Sequence, residues 1–286
     1  MMLYRPAPRH TREAIRQHAG MYVADPSSPR GFHHMLDLVV SQLTRQLSPA
    51  HPLGPADLRV RVWPDRYELR LDAQRPATPL ADTFDWLHAV DALSASFHAE
   101  VTHDPSHALP FRHLVRCIPD PTIFTGAFDP HTTIERARQL AALSELRITL
   151  EWPDTSPIRL DAYTCADHLN HLRHTTASPP APLLTLDTHT PVEDGTLHVQ
   201  LVAQPAADAQ GVHHSFVNTI PTRGGVHLDG ARDGLLERGL DPDALDLLIH
   251  VRHPAPHFAN PVREVLQNPE VAPAVCKLVG LAPVIA

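Results

Sequence analysis

Helices and strands alternate through both halves of this 286-residue chain, which predicts an α+β or α/β architecture. Two local patterns carry most of that expectation. In FHHMLDLVVSQLTRQL, Phe32 to Leu47, apolar side chains recur at 35, 36, 39, 40, 43 and 47, the spacing of a helix with one buried face. In LRVRVWP and RYELRLD, apolar and polar residues alternate with period two on either side of Pro64-Asp65, as in a hairpin of half-buried strands.

The remaining elements follow in order. Thr11 to His18 reads as a short helix with Thr11 as N-cap, ended near Gly20. ADPSSPRG is a loop, His34 to Leu47 the long helix, and HPLGPADL a turn-rich break. After the hairpin, DTFDWLHAVDALSAS has helical composition, and FHAEVTH and FRHLVRCIP read as strands. A loop, IPDPTIFTGAFDP, precedes the helix HTTIERARQLAALS and the strand LRITLEW. The helix AYTCADHLNHLRH runs into TTASPPAPL, the strongest linker candidate, which sets domain boundaries at 1–178 and 179–286. Beyond it come the strands TLHVQLVAQP and HHSFVNTIPT, a Gly224-Gly225 turn, and the helix GARDGLLERGL. The strand LDLLIHVRHP and the helix NPEVAPAVCKLVG close the chain.

Composition narrows the function. A formal charge of −8 argues against coating nucleic acid, which needs a basic surface to displace counterions, so direct DNA binding is not expected. Cys117, Cys165 and Cys276 are dispersed and odd in number, which points to a reducing cytoplasm instead of a disulfide framework. The first twenty residues hold no apolar core, so no signal peptide is expected. No apolar run approaches the ~20 residues that cross a bilayer, so no membrane partner is expected either. Lysine occurs once, at Lys277, and no glycine lies between Gly54 and Gly126. A glycine-rich phosphate loop or a catalytic lysine is therefore hard to build. Cys165, His168, His171 and His174 tempt a zinc reading. Residues three apart drift ~60° per step around a helix, so four of them cannot converge, and no metal site is expected.

Four blocks, in order, resemble the N-terminal half of the family formed by DNA gyrase B and its topoisomerase IV counterpart. They are REAIRQHAGMYVADPSSPRGFHHM, PDPTIFTGAFDPHTTIERARQLAALSELRITLEW, HHSFVNTIPTRGGVHLDGARDGL and LLIHVRHPAPHFANPVREVLQNPEVAPAV. The resemblance implies an α+β, two-layer sandwich. It consists of a GHKL-type ATPase domain, with an eight-stranded sheet backed by helices, and then a transducer domain of ribosomal-protein-S5-like fold. The toprim and later segments of the full-length family members have no counterpart in these residues.

The same resemblance locates the missing chemistry. The family carries a Glu general base and a magnesium-binding Asn on its first long helix; here those positions hold Leu38 and Gln42. Leu38 accepts no proton, and Asp37, turned ~100° away, is expected on the solvated surface. Asp72 keeps the spacing of the family's adenine-reading Asp, although it also reads as an ordinary strand-end residue. Ala73, Gln74 and Pro76 replace the second acid and both glycines, with Arg75 retained. The glycines that cradle phosphate near Leu87, His88 and Val90 are missing. At the family's γ-phosphate-sensing loop stand Pro261, Val262 and Arg263; Arg263 is expected to be a solvated structural residue, with an anion contact as the alternative.

The chain is thus read as a degenerate, catalytically inactive pseudoenzyme. It has no expected cofactor and no catalytic residue, and it retains Asp72, Arg75 and Arg263 as pocket remnants. Its expected work is protein interaction or regulation, with itself or a type II topoisomerase subunit. The alternative is an ATPase of the topoisomerase type with an altered site, which would need ATP and magnesium.

Overall fold

The computed structural model describes residues 2–3, 9–23, 25–46, 56–74, 86–144, 146–161, 163–173, 181–206, 210–259 and 263–283, with backbone alone at 2, 3, 9, 10, 30, 41, 42, 44–46 and 86. They form two compact units, Met1–Ala162 and Tyr163–Ala286. The division falls ahead of the proline-rich linker because the helix α6 (Cys165–Leu172) packs on strands of the second unit. Its start is fixed by a capping box: Asp167 N–H donates to Thr164 Oγ1 at 3.1 Å and Thr164 N–H to Asp167 Oδ2 at 2.9 Å.

Among the described residues the first unit's sheet has seven strands where the resemblance implies eight. They are β1 (Met2–Leu3), β2 (Asp57–Trp63), β3 (Arg66–Ala73), β4 (Ser94–His103), β5 (Phe111–Pro119), β6 (Arg147–Glu151) and β7 (Ile158–Leu160), in spatial order β1-β4-β5-β3-β2-β6-β7. The two-residue turn at Pro64-Asp65 closes the β2–β3 hairpin and pairs Trp63 with Arg66, which fixes every later pair. Leu58, Val60 and Val62 of β2, with Tyr67, Leu69, Leu71 and Ala73 of β3, all face one side and are buried. Fully burying each of the larger ones contributes roughly 1.5–3 kcal/mol.

The layer over that face contains α1 (Arg9–Gln17), α2 (Gly20–Val23), α3 (Pro29–Gln46), α4 (Trp86–Ala92) and α5 (Pro130–Ser144). Helix α3 begins at Pro29, earlier than the apolar period indicates. Proline is preformed for the first helical position, and the turn before it is closed by Ser27 N–H on Asp25 Oδ1 at 3.0 Å. Gly31 permits that turn to cross the helix, since a Cβ there would meet Asp25 O at 2.6 Å. Phe32 packs edge-on against Phe124 and Phe128 with centroids 5.2 and 5.0 Å away, and Phe128 meets Tyr67 at 5.7 Å. These rings join the helix, the following loop and the sheet.

The second unit has a five-stranded sheet in the order β11-β10-β13-β9-β8. Its strands are β8 (Leu184–Val192), β9 (Gly195–Pro205), β10 (His213–Val217), β11 (Ile220–Thr222) and β13 (Leu245–Arg252). The stretch HHSFVNTIPT is a hairpin instead of one strand, turning at Asn218 and Thr219, whose φ angles are 48° and 72°. A short pair, β12 (Gly224–Gly225) with β14 (Val265–Leu266), flanks helices α7 (Val226–Glu237) and α8 (Val271–Leu281). These helices approach closely at Gly230, where a Cβ would lie 2.3 Å from Ala272 O.

Candidate functional site

Helix α3 presents two neighbouring side chains to different surroundings. Leu38 is 1% exposed and lies in the core, as its apolar type demands. Asp37 is buried too, at 5%, which corrects the expectation of a solvated residue. The turn of ~100° takes Asp37 off Leu38's face, but it leads to α5 and not to water. There the Arg136 guanidinium, itself buried, donates Nε–H to Asp37 Oδ1. Burial pushes the Asp37 carboxyl above its usual range, and the Arg136 charge and hydrogen bond pull it back in part. The arginine occupies Asp37 as a structural partner.

The same covered face carries His33, His113, Tyr67 and Cys117. Burial lowers both histidines to about 4, so they are neutral at pH 7. Burial raises the Cys117 thiol to about 11, and its sulfur lies 3.0 Å from Ser94 Oγ. A thiol so placed is no nucleophile.

Strand alternation decides the position of Asp72. Leu71 and Ala73 point to the helices, so Asp72 points to the opposite, open face of the sheet. There it accepts hydrogen bonds from Arg70 Nε at 2.8 Å and Arg112 Nε at 2.9 Å. Partial burial pushes its carboxyl up, but these bonds outweigh that and hold it below its ordinary value. Asp72 is therefore a strand residue in an ion-pair network, and the small apolar Ala73 stands at the end of β3 on the covered side. Arg75 lies outside the described residues, as does the side chain of Gln42.

Arg263 is buried at 8% exposure, with φ of 61°, and its guanidinium stands 5.8 Å from the centre of the Phe258 ring. It is thus packed within the second unit, which corrects the expectation of a solvated residue. Among the described residues no three His, Cys, Asp or Glu side chains converge as metal ligands, and no helix is long and apolar enough to cross a membrane.

These residues do not fit a magnesium-nucleotide on the covered face. Among the described residues, Leu38 offers no acceptor for a water or a metal-bound ligand, Asp72, at the position implied to read adenine, faces the other side of the sheet, and the nearest carboxylate on α3 is taken by Arg136. One signal for this was already legible: Tyr67, Leu69 and Leu71 are the apolar set of β3, so Asp72 must face the other way.

No protein-family model matches the chain. It is 29% identical over 183 residues to gyrase B of Haloferax lucentense, and 28% identical over the same length to that of Haloferax volcanii. In each case the alignment takes in 55% of this chain and 28% of the relative, so the chain spans little more than a quarter of these proteins' length. Among solved structures, the B-subunit of Myxococcus xanthus DNA gyrase superposes with a TM-score of 0.70 at 21% identity, covering 94% of this chain and 93% of that one. The 43K ATPase domain of Thermus thermophilus gyrase B, in complex with an aminocoumarin, gives 0.65 at 20%, covering 94% and 87%. The ATPase region of Saccharomyces cerevisiae topoisomerase II gives 0.59 at 12%, covering 93% and 90%. The chain therefore has the fold of these gyrase B and topoisomerase II ATPase regions, and its resemblance to the N-terminal half of gyrase B is borne out.

Proposed function

We propose that this chain is a catalytically silent gyrase B-like module that works by contacting proteins, either a second copy of itself or a type II topoisomerase subunit. The observation that carries the reading is Leu38, a fully buried apolar side chain at the position where the resemblance implies the general base. A general base must reach the proton it removes, and no acceptor at this position does so. Ala73, where the resemblance implies the second acid, supports the same reading. The rival, an ATP-hydrolysing subunit, would draw on Asp72 and Arg263; the first faces the open side of the sheet and the second is packed beside Phe258. What the chain keeps is scaffold, and scaffold without chemistry suits an interaction role.

The test is thermal unfolding with magnesium and a non-hydrolysable ATP analogue, against the same concentration of inorganic triphosphate. Specific binding at a hundredfold excess over Kd raises stability by about 2.7 kcal/mol. We expect no stabilisation beyond that of triphosphate and no ATP turnover. Extra stabilisation by the nucleoside part, or turnover, overturns the silent reading. The partner half is tested separately, by capture from cells with the tagged chain: neither self-association nor enrichment of any topoisomerase subunit would remove it.

A further inference from the structure

The open face of the seven-stranded sheet is charged in three rows that run across the strands. The first row, Glu151, Arg61, Glu68 and Arg116 on β6, β2, β3 and β5, alternates in sign between direct cross-strand neighbours. It is closed by Arg116 Nε donating to Glu68 at 2.7 Å and Arg61 Nε to Glu151. The third row, Arg147, Asp57, Asp72 and Arg112, sets Asp57 opposite Asp72 but flanks them with arginines, at 2.6 Å from Arg147 and 2.9 Å from Arg112.

The middle row breaks this logic. Reading from β7 to β3 it is Arg159, Thr149, Arg59 and Arg70, each directly opposite the next. Arg59 and Arg70 are like charges in direct register on an antiparallel pair, an arrangement that destabilises a sheet. Among the described residues Arg59 reaches a carboxylate only diagonally, Glu151 at 3.3 Å, and that carboxylate is already bonded by Arg61. Arg159, exposed at the edge strand, makes no ion pair among the described residues. All three arginines line one concavity of about 430 Å³, together with Arg147, Thr149, Asp57, Asp72 and Asp161.

Local rules that fail in one place point to function there. Asp72 holds Arg70 through Nε and Nη2, both at 2.8 Å, and Asp57 holds Arg147 through Nε at 2.6 Å and Nη2 at 3.1 Å, which fixes the planes of these two guanidinium forks. Such forks suit the oxygens of phosphoryl groups. The volume is that of a small-molecule site. The lining contains no aromatic ring on which a base would stack, which disfavours single-stranded nucleic acid. The lining carries four arginines against three aspartates, and an anion with several charged oxygens can meet more than one guanidinium at once. We propose that this concavity binds a small polyphosphorylated anion through Arg59, Arg70 and Arg159, with the Thr149 hydroxyl as a further donor. The site lies on the opposite face of the sheet from Leu38, so it is independent of the covered side.

Isothermal titration of the whole chain with inorganic triphosphate at low salt tests this. We expect saturable binding of one ion, weakened roughly tenfold or more in Arg59→Gln and in Arg159→Gln, the effect of losing a charge-assisted contact. Without ligand, Arg59→Gln should melt at the same temperature as the parent or higher, because the repulsion with Arg70 is gone. No saturable binding in the parent overturns the proposal, and so does binding that both variants leave unchanged. Tighter binding of a single-stranded oligonucleotide than of triphosphate overturns it in favour of a nucleic-acid surface.

Discussion

The two faces of the first unit's sheet hold ionised groups on very different terms. On the covered face, Asp37 and Arg136 form one ion pair with both side chains 7% exposed. On the open face, arginines and carboxylates on β2, β3, β5 and β6 form a lattice of pairs whose members are mostly a fifth to a half exposed. The open face has many more contacts, yet each exposed pair contributes little, because water and salt screen it. The Asp37–Arg136 pair is costly to break, because either partner alone would be a charge without water. Desolvation, and not the number of charges, sets the weight of an interaction here.

The largest expected effect comes from splitting the covered pair. Arg136→Ala should destabilise the first unit by about 3–5 kcal/mol in urea denaturation. Replacing both partners, Asp37→Leu with Arg136→Leu, should recover most of that loss or exceed the parent, since buried ion pairs often fare no better than well-packed apolar groups. A double variant as unstable as Arg136→Ala would mean that the pair contributes more than mutual neutralisation. Next in size is Leu38→Ala, which leaves a cavity in the core and should cost about 2–5 kcal/mol. If Leu38 instead lined a hydrated pocket, the loss would be well under 1 kcal/mol. That measurement separates the closed from the open covered face without any nucleotide.

Much of this comparison was legible in the sequence. The turn Pro64-Asp65 fixes the hairpin register, so the opposition of Arg59 and Arg70 follows from counting outward from Trp63 and Arg66. The apolar triplet Tyr67, Leu69 and Leu71 likewise fixes which way Asp72 points. The fate of Asp37 was not legible, since its partner lies 99 residues away on α5 and helical phase says only which faces differ. The edge strand β8 is not legible in the sequence, because Thr, Asp and His alternate in LTLDTHTPV with little apolar content and its order comes from pairing with β9. The environment of Arg263 depends on the loop fold around Phe258, which no periodicity encodes.

Acid titration sharpens the contrast. His33 and His113 have folded pKa values of about 4, below the unfolded value near 6.5, so the unfolded chain binds more protons between those limits. Their stabilisation is complete above pH 6.5 and is lost as pH falls towards 4, on the order of 1.4 kcal/mol per pH unit for each histidine. His227 in the second unit adds a contribution of the same sign. Stability measured from pH 7 to pH 4.5 should therefore fall, and His113→Gln should flatten the slope. An unchanged slope would show that His113 is solvated in the folded protein.

The smallest expected effect lies on the open face. Glu68 receives Arg116 at 2.7 Å and faces Arg61 at 3.7 Å, with its own side chain 20% exposed and the arginines about half exposed. Glu68→Gln keeps the shape and removes the charge, so the lost stability should be about 0.2–1 kcal/mol. It should also shrink at 1 M salt, where the screening length falls to ~3 Å, while the Arg136→Ala loss should barely change. The salt response matters more than the size of the loss. A Glu68→Gln cost of several kcal/mol that survives high salt would mean that something covers the open face and excludes water from its charges. The sheet would then have two covered faces, and the weight assigned to desolvation on one side would apply equally to the other.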